Sequence, residues 1–561
     1  MKVSTLPQIY RHLTRWREIL AVLSKYGLAD WLSHQQLDFA RDLLKTRMGD
    51  KLTARSREER IRLALVELGP TFIKLGQFLG TRPDVVGPDL AAELQTLQTA
   101  APADPPEVAR AVVEAELGPM AAVFASFDDQ ALASASIGQV HRATLPNGMP
   151  VVVKVQHPNI ARRIRVDLEI IHGLATLAER SPELKQYRPA ALVAEMQRTL
   201  RRELDFRREE RNLEQFTELF KDDETVRVPR PYPNLTTPRV LTMERLDGSK
   251  LDDALKLGRH EFDREEFARR GAERYLDMIF VHGVYHADPH PGNILRLEGD
   301  VIGLLDFGNV GRLDEAMRED IEDMLLAIVG GDSELLTSLV TRVGQTPPTL
   351  DESALTTDLS DFVAHYAGAS LQQLELAAAL NDVTGIIRRH RIILPTQVGM
   401  LIKLLITLEG TARMLNPNFS LLHVMAPFQR KVLARRLSPV RHARKLRRLY
   451  GDVEHLVQVL PRRVVDIVER IQTGKLDVHL DHRGLAPSVN RLVLGMLTSA
   501  LFLGSSLLLS RRVPPVLFRV PTYLGLHEVS ILGLAGCIVS VLLGLRLLWA
   551  ITRSGHLDQK D

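Results

Sequence analysis

Cysteine is almost absent: Cys537 is the only one in 561 residues. That excludes a disulfide within the chain and leaves a thiolate metal centre without its set of sulfurs. A charge of one sign is missing too, with 72 Lys and Arg against 69 Asp and Glu. So even a balance gives no global field toward nucleic acid, and any electrostatic partner has to come from a local cluster. The first residues, MKVSTLPQIYRHLTRWREIL, contain no uninterrupted apolar core and no small-residue cleavage site, so no secretory signal is expected. No internal repeat recurs along the chain.

Long apolar runs are present, and both lie at the C-terminal end. Leu492–Leu509 is uncharged over 18 residues, which as a helix spans ~27 Å, close to a ~30 Å hydrocarbon core. Val529–Leu545 stays uncharged until Arg546. Pro514, Pro515 and Pro521 stand between them and disfavour one continuous helix. A transmembrane hairpin is expected, with a buried helical pair as the alternative. Basic residues lie on both sides of the first run, so counting them does not orient it. Residues 430–448, RKVLARRLSPVRHARKLRR, hold nine Lys or Arg and no acid. A solvated helix face accounts for this cluster, and so does contact with anionic lipid at ~1 kcal/mol per basic residue. Without interleaved aromatics, nucleic acid is not an expected partner.

The length exceeds the ~250–300 residues at which single cores stop growing, so several domains are expected. Residues 1–127 read as helical, with Ile61, Leu65, Leu68 and Phe72 at helical spacing. Pro105-Pro106 open a further helix. From Leu132 the pattern becomes β-rich: GQVHRATL and VVVKVQHP flank Asn147-Gly148, a hairpin signal. A helical stretch follows, then proline-punctuated β-branched runs to about residue 248. Beyond Phe262 the pattern is mainly helical to about Asn416, interrupted by two short extended stretches.

One of these interruptions, Phe280–Leu295, reads FVHGVYHADPHPGNIL and gathers His282, His286, His290 and Asp288. His282 and His286 have the spacing that places two zinc ligands on one helix face, but a zinc-protease helix needs Glu after the first His, where Gly283 stands. Pro289 and Pro291 also break any regular helix there. The stronger reading takes Asp288, Asn293 and Asp306 together. Phosphoryl transfer asks for positioned charge: one carboxylate orients or deprotonates the attacking hydroxyl, and an Asn with a second Asp holds Mg²⁺ on the phosphates. H-x-D-x-x-x-x-N followed by Asp306-Phe307-Gly308 supplies these groups in order. Mg²⁺ prefers oxygen ligands, so the histidines matter less than the Asp and Asn. Upstream, the strand-like VVVKVQHP offers Lys154, and RRELDFRREERNLEQF offers Glu203, Asp205, Glu209 and Glu210 as acids to pair with it.

With these residues in place the sequence resembles the UbiB/ADCK family of atypical kinase-like proteins. GPTFIKLGQFLGTRPD looks like the family's KxGQ signature, giving Lys74, Gly76 and Gln77. ELDFRREERN is similar to its E-x-D segment, giving Glu203 and Asp205, with Glu209 where the partner of the strand lysine stands. LASASIGQVHRA matches its alanine-rich nucleotide loop, and YHADPHPGNIL its catalytic loop. The likeness runs from about residue 60 to about residue 420.

What the resemblance implies is an α+β, bilobal protein-kinase-like fold with an N-terminal helical KxGQ extension and a C-terminal transmembrane hairpin. The expected parts are a helical N-terminal region over 1–127, an N-lobe with a helical insert over 128–248 and a C-lobe over 249–420. A basic helical linker over 421–490 and two transmembrane helices over 491–552 complete them. The expected cofactors are ATP and Mg²⁺. Asp288 would be the catalytic base, Lys154 with Glu209 the phosphate clamp, and Asn293 with Asp306 the metal ligands. Leu132, Ala133, Ser134, Ala135, Ser136, Ile137, Gly138, Gln139 and Val140 would line the nucleotide with Lys154. Lys74, Gly76, Gln77, Glu203 and Asp205 would form a regulatory cover over the active-site mouth. The loop holds a single glycine where ordinary kinases have three, and no A-P-E signature follows Asp306. The resemblance also implies that Lys74, paired with Glu203 or Asp205, blocks the groove a protein substrate needs; this and the missing A-P-E signature argue against a general protein kinase.

The expected function is a membrane-anchored kinase or ATPase that supports ubiquinone or another isoprenoid-lipid pathway. Its domain would face the cytosol from the inner membrane. Membrane lipids and lipid-biosynthesis enzymes are the expected partners, and a homodimer is open. A small-molecule phosphotransferase of the aminoglycoside- or choline-kinase type and a nucleotide-switched scaffold are the alternatives.

Overall fold

The valine-rich run around Lys154 forms a strand, as β-branched side chains favour. In the computed structural model, which describes residues 13–28, 55–97, 102–180, 185, 187–256, 262–367, 375–425, 485–517 and 529–553, it pairs into a five-stranded sheet. The strands are β1 (Ser126–Phe127), β2 (Ala133–Ser134), β3 (Gly138–Thr144), β4 (Pro150–Gln156) and, after β5 (Val226–Arg227) of another sheet, β6 (Val240–Glu244). Their order is β1-β3-β4-β6, with β2 beside β3. The Asn147-Gly148 turn joins β3 to β4 antiparallel, and Lys154 lies opposite Val140 and Leu241. Successive side chains point to opposite faces. Val151, Val153 and Val155 therefore pack with Val112, Val113 and Phe124, while Val152 joins Phe206, Phe216 and Phe307 on the other face. Lys154 has the parity of Val152, so the alternation aims it at the second face.

Three long helices follow β4, namely Ile160–Ala178, Pro189–Glu203 and Arg207–Leu219. They fill the long interval between Lys154 and Glu209. The first packs Ile170 and Ile171 against Trp16, Leu68 and Phe72 from the N-terminal helices Leu13–Lys25, Arg57–Leu68 and Pro70–Gly80. Buried Asp167 ties them together, accepting from Arg15 Nε at 2.8 Å and Thr71 Oγ1 at 2.7 Å. At Gly76 a Cβ would meet methyl carbons of Leu97 at 2.3 Å and Leu65 at 2.9 Å. The absence of a side chain is what lets these helices meet.

Downstream come β7 (Ser249–Lys250), the helix Arg264–Leu276 and a π-helical turn, Asp277–His282. Then follow β8 (Val284–His286), β9 (Ile294–Arg296), β10 (Ile302–Leu304) and β11 (Val310–Arg312). One sheet runs β5-β10-β9-β7, and β8 pairs with β11. The proline-containing half of the histidine loop is a short 3₁₀ turn, Pro291–Asn293, between strands. Among the described residues five long helices follow, the fifth being Thr396–Leu415. It buries Leu401, Leu404, Leu405 and Leu408 in the same core as Ile294 and Phe307.

The described residues fall into two units, Met1–His442 and Ala443–Asp561. The basic stretch 430–448 lies outside the described residues. In the second unit the helices Leu485–Ser510 and Ile531–Arg553 flank a connection that is not helical over its described residues 511–517. Their apolar windows, Leu492–Ser510 and Ile531–Trp549, have mean hydropathy 2.1 and 2.3, and only 6% and 11% of their residues are buried. The core helix of a soluble domain would bury most of such a surface, so these two helices point to membrane association.

The β8–β11 pairing sets Gly311 against Tyr285, where a Cβ would lie 2.1 Å from the phenol ring. The Tyr285 hydroxyl donates to the Gln397 carbonyl at 3.2 Å, holding the last helix to the sheet. Gly311→Ala should therefore cost about 1–3 kcal/mol through overpacking and lower the melting temperature measured calorimetrically. An unchanged transition would contradict this packing.

Candidate functional site

One ammonium faces two carboxylates in the cleft below β4. Lys154 Nζ lies 2.9 and 2.8 Å from the two Glu209 oxygens and 3.4 Å from Asp306 Oδ1. It also sits 5.4 Å from the centre of the Phe206 ring. Glu209 is buried in the first turn of its helix, whereas Asp306 is exposed. Burial works against the Lys154 charge, but Asp306 and Glu209 outweigh it and hold its pKa well above the usual lysine range. Lys154 in turn holds Asp306 well below the usual carboxylate range, with help from Lys74 and the Gly308 amide. Burial pushes Glu209 up to about 7; Lys154 opposes this and the charge on Asp306 adds to it. Two acids share one cation, and the more buried acid carries the cost.

Asp306 adopts φ +56°, a left-handed conformation that non-glycine residues rarely take. Its Oδ1 accepts from the Gly308 amide at 3.2 Å, which fixes the carboxylate in a tight turn. Phe307 is fully buried between Phe216 and His286, and its carbonyl accepts from Asn212 Nδ2 at 2.9 Å.

His286 joins this turn to the second carboxylate. The buried ring faces the Leu305 and Asp306 carbonyls through Nε2, at 2.8 and 3.0 Å, and the Asp288 amide through Nδ1, at 3.3 Å. Carbonyls only accept and an amide only donates, so Nε2 carries the proton. Asn293 Nδ2 donates to Asp288 Oδ2 at 3.0 Å and to the Asp288 carbonyl at 3.2 Å. No described residue donates to Asn293 Oδ1. His290 accepts from Gly292 N at 3.1 Å and caps the turn, as its place between two prolines leads one to expect.

The sequence reading missed the groups that reach this loop from far along the chain. Lys403 Nζ is 3.3 Å from Asp288 Oδ1, and Thr411 Oγ1 donates to the Pro289 carbonyl at 2.9 Å. Both belong to the helix Thr396–Leu415. Lys403 leaves one signal in the sequence, a single charge inside the apolar run GMLIKLLITL.

Among the residues expected to regulate the site, Lys74 pairs with Glu203 at 2.7 Å. Asp205 instead pairs with Arg207 at 2.9 Å. Burial opposes the Lys74 charge, but Glu203 outweighs it and raises its pKa. Gln77 donates to the Leu97 carbonyl at 3.1 Å, and Gly76 is a packing position. In the Leu132–Val140 loop the side chains of Ser136, Ile137 and Gln139 are buried. Gln139 accepts from the Asp104 amide at 2.6 Å and lies 3.0 Å from the His141 ring. Gly138 has no room for a Cβ, which would lie 2.5 Å from the Val155 carbonyl. The side chains of Ser136, Ile137 and Gln139 are thus turned away from solvent, while Leu132 and Ala133 are exposed. His157 pins the loop from below, with its ring 2.8 Å from the Ala135 carbonyl and 2.6 Å from Asp104 Oδ2.

The donor set suits a hard cation. Asn293 Oδ1 and the exposed Asp306 carboxylate are oxygens, brought near one another by the Leu305 amide, which donates to the Asn293 carbonyl at 2.9 Å. Among the described residues, no cluster of three His, Cys, Asp or Glu is arranged to hold a metal. His286 is already committed on both nitrogens, so a histidine cage built on His282, His286 and His290 loses its central ligand.

The Glu209 shift has a sign that can be tested. A carboxyl whose pKa is higher in the fold than in the unfolded chain stabilises the fold below the unfolded value and loses that contribution as pH rises through the folded one. Wild type should therefore lose melting temperature relative to Glu209→Gln between about pH 5 and about pH 8. A constant difference, or one of opposite slope, would contradict the shared-cation arrangement.

Three family models match the chain. The ABC1 atypical kinase-like domain covers 96–340, the UbiB helical domain 359–420 and the ABC1/UbiB kinase-like C-terminal domain 479–553. A Xanthomonas campestris pv. campestris protein named a probable protein kinase UbiB is 35% identical over 496 residues, 85% of this chain and 88% of that one. A Xanthomonas axonopodis pv. citri protein of the same name is 36% identical over 432 residues, 74% of this chain and 77% of that one. An uncharacterised Clostridium pasteurianum protein from the region 5′ of hydrogenase 1 is 29% identical over 561 residues, 97% of this chain and 99% of that one. A solved Mycobacterium tuberculosis protein in complex with erythromycin aligns with 23% identity and a TM-score of 0.43, covering 70% of this chain and 99% of its own. The family models and the alignments with the two Xanthomonas proteins place the chain in the UbiB/ADCK family of kinase-like proteins.

Proposed function

We propose that this chain is a membrane-anchored, ATP-binding kinase-like enzyme whose Mg²⁺-dependent phosphoryl chemistry serves ubiquinone or another isoprenoid-lipid pathway. The observation that carries the reading is the convergence of Lys154, Glu209 and Asp306 beside the His286-linked pair Asp288 and Asn293. The relatives named probable protein kinase UbiB support the pathway and the class of chemistry.

In this reading the domain has two lobes with the nucleotide between them. Backbone groups of Leu132–Val140 cover the phosphates, and Lys154, held straight by Glu209, meets their oxygens. Asp288 accepts the proton of the attacking hydroxyl. Asn293 Oδ1 and Asp306 hold Mg²⁺, which when bound neutralises charge between the phosphates. The Lys74–Glu203 pair closes the groove that a peptide would need, which favours a small lipid-related acceptor or water. The two apolar helices span the cytoplasmic membrane as a hairpin and keep the catalytic unit on the cytosolic, ATP-containing side.

The test is phosphate release by the full chain, with and without anionic liposomes or a phenolic quinone precursor. Losing a general base costs ~10²–10⁴ in rate, so Asp288→Asn should fall by that factor while binding nucleotide normally. Equal turnover in the two proteins would remove the reading.

A further inference from the structure

Three lysines approach the cleft, and two are committed. Lys74 is held by Glu203 at 2.7 Å, and Lys154 by Glu209 at 2.8 Å with Asp306 beyond it. Lys403 has no such close partner among the described residues: its ion pair is to Asp288 Oδ1 at 3.3 Å, with its side chain 18% exposed and that of Asp288 36% exposed. Among the described residues no other cation lies within ion-pair distance of Asp288. A base in action sits ~2.6–3.2 Å from the atom it deprotonates, and that atom sits ~3–3.5 Å from the centre it attacks. A cation beside the base is therefore separated from the group being transferred only by the base and the attacking atom.

We propose that Lys403 is the cation that meets the transferred phosphoryl group. The inference rests on the reading of Asp288 as the base. In the step, the oxygen of a hydroxyl acceptor or of water bonds to the γ-phosphorus of ATP. The bond from that phosphorus to the bridging oxygen breaks, and its electron pair leaves with ADP. The acceptor's proton passes to Asp288. As Asp288 takes that proton, its hold on Lys403 weakens, and the ammonium turns to the non-bridging oxygens, where negative charge is spread. The Lys403 helix is built to deliver it. Thr411 on the same helix fixes the Pro289 carbonyl, Tyr285 fixes Gln397, and Gly399 lets the Thr81 carbonyl pass 2.6 Å from where a Cβ would stand. The residue arrives by tertiary packing and not from the catalytic loop, whose own residues Asp288–Asn293 contain no lysine or arginine.

The experiment compares the full chain with Lys403→Met and Lys403→Arg, measuring phosphate release, ADP affinity, and trapping of ADP with aluminium fluoride and Mg²⁺ as a mimic of the transferring group. Removing one charge-stabilising donor costs ~10²–10³ in rate. Lys403→Met should lose that much in kcat with KM for ATP little changed, bind ADP as wild type does, and fail to trap the fluoride complex. Lys403→Arg should recover most of both. Wild-type kcat in Lys403→Met, or a slow variant that still traps the complex, would overturn the proposal. If wild type itself neither turns over nor traps the complex, the kinase-like reading falls with it.

Discussion

A single buried-facing ammonium shared by two carboxylates sets the terms for the rest of the site. Lys154 is placed by the pleat of β4, Glu209 by the first turn of a helix three helices later, and Asp306 by a left-handed turn after β10. Lys154 and Glu209 would each be costly in isolation, because burying an unpaired charge is expensive. Together the three groups leave one negative charge in excess, and the exposed carboxylate carries it. An exposed carboxylate oxygen held below the usual carboxylate range beside a cation is what a cation-assisted phosphoryl site requires. The neighbours that make Asp306 acidic are therefore the same ones that make it useful in the proposed chemistry.

The second constraint is mechanical. His286 receives the Asp288 amide on one nitrogen and donates to carbonyls around Asp306 with the other, so the two carboxylates cannot drift independently. The helix Thr396–Leu415 then clamps the loop from outside through Lys403 and Thr411. Its other end reaches the insert helix Pro189–Glu203 and the N-terminal region: Thr396 contacts Glu195, and just before the helix the Leu394 amide donates to buried Asp84 at 3.0 Å, itself paired with Arg82 at 2.8 Å. The KxGQ region and the catalytic loop are thus both tied to this helix, and the Lys74–Glu203 pair joins the KxGQ helix to the insert.

Much of this was legible in the sequence, and the reason is local. Lys154 sits in an alternating valine strand, while Asp288, Asn293 and Asp306 sit in short motifs whose spacing reflects a turn or a strand end. Pro105-Pro106, Asn147-Gly148 and Pro514-Pro515 marked boundaries that the structure keeps. What escaped depends on contacts across long stretches of chain. Lys403 and Thr411 lie more than 100 residues from the loop they hold, with separations of 115 and 122, and nothing in local periodicity reports such a meeting. The choice between Glu203 and Asp205 as partner of Lys74 also turns on helix geometry, because Asp205 is drawn off by its neighbour Arg207. The inward direction of Gln139 was hidden for the same reason: its partners Asp104 and His141 come from a preceding linker and from its own strand face.

The central claim is that Asp306, held ionised by Lys154 and tied to Asp288 through His286, carries the metal on the nucleotide. Manganese(II) binding in the presence of ADP tests it most directly, with free metal read by electron paramagnetic resonance in wild type and Asp306→Asn. Loss of a supporting group already costs ~10–100-fold in metal affinity, so the variant, having lost a ligand, should weaken by at least that much while still binding ADP. Equal manganese affinity in the two proteins would contradict the account.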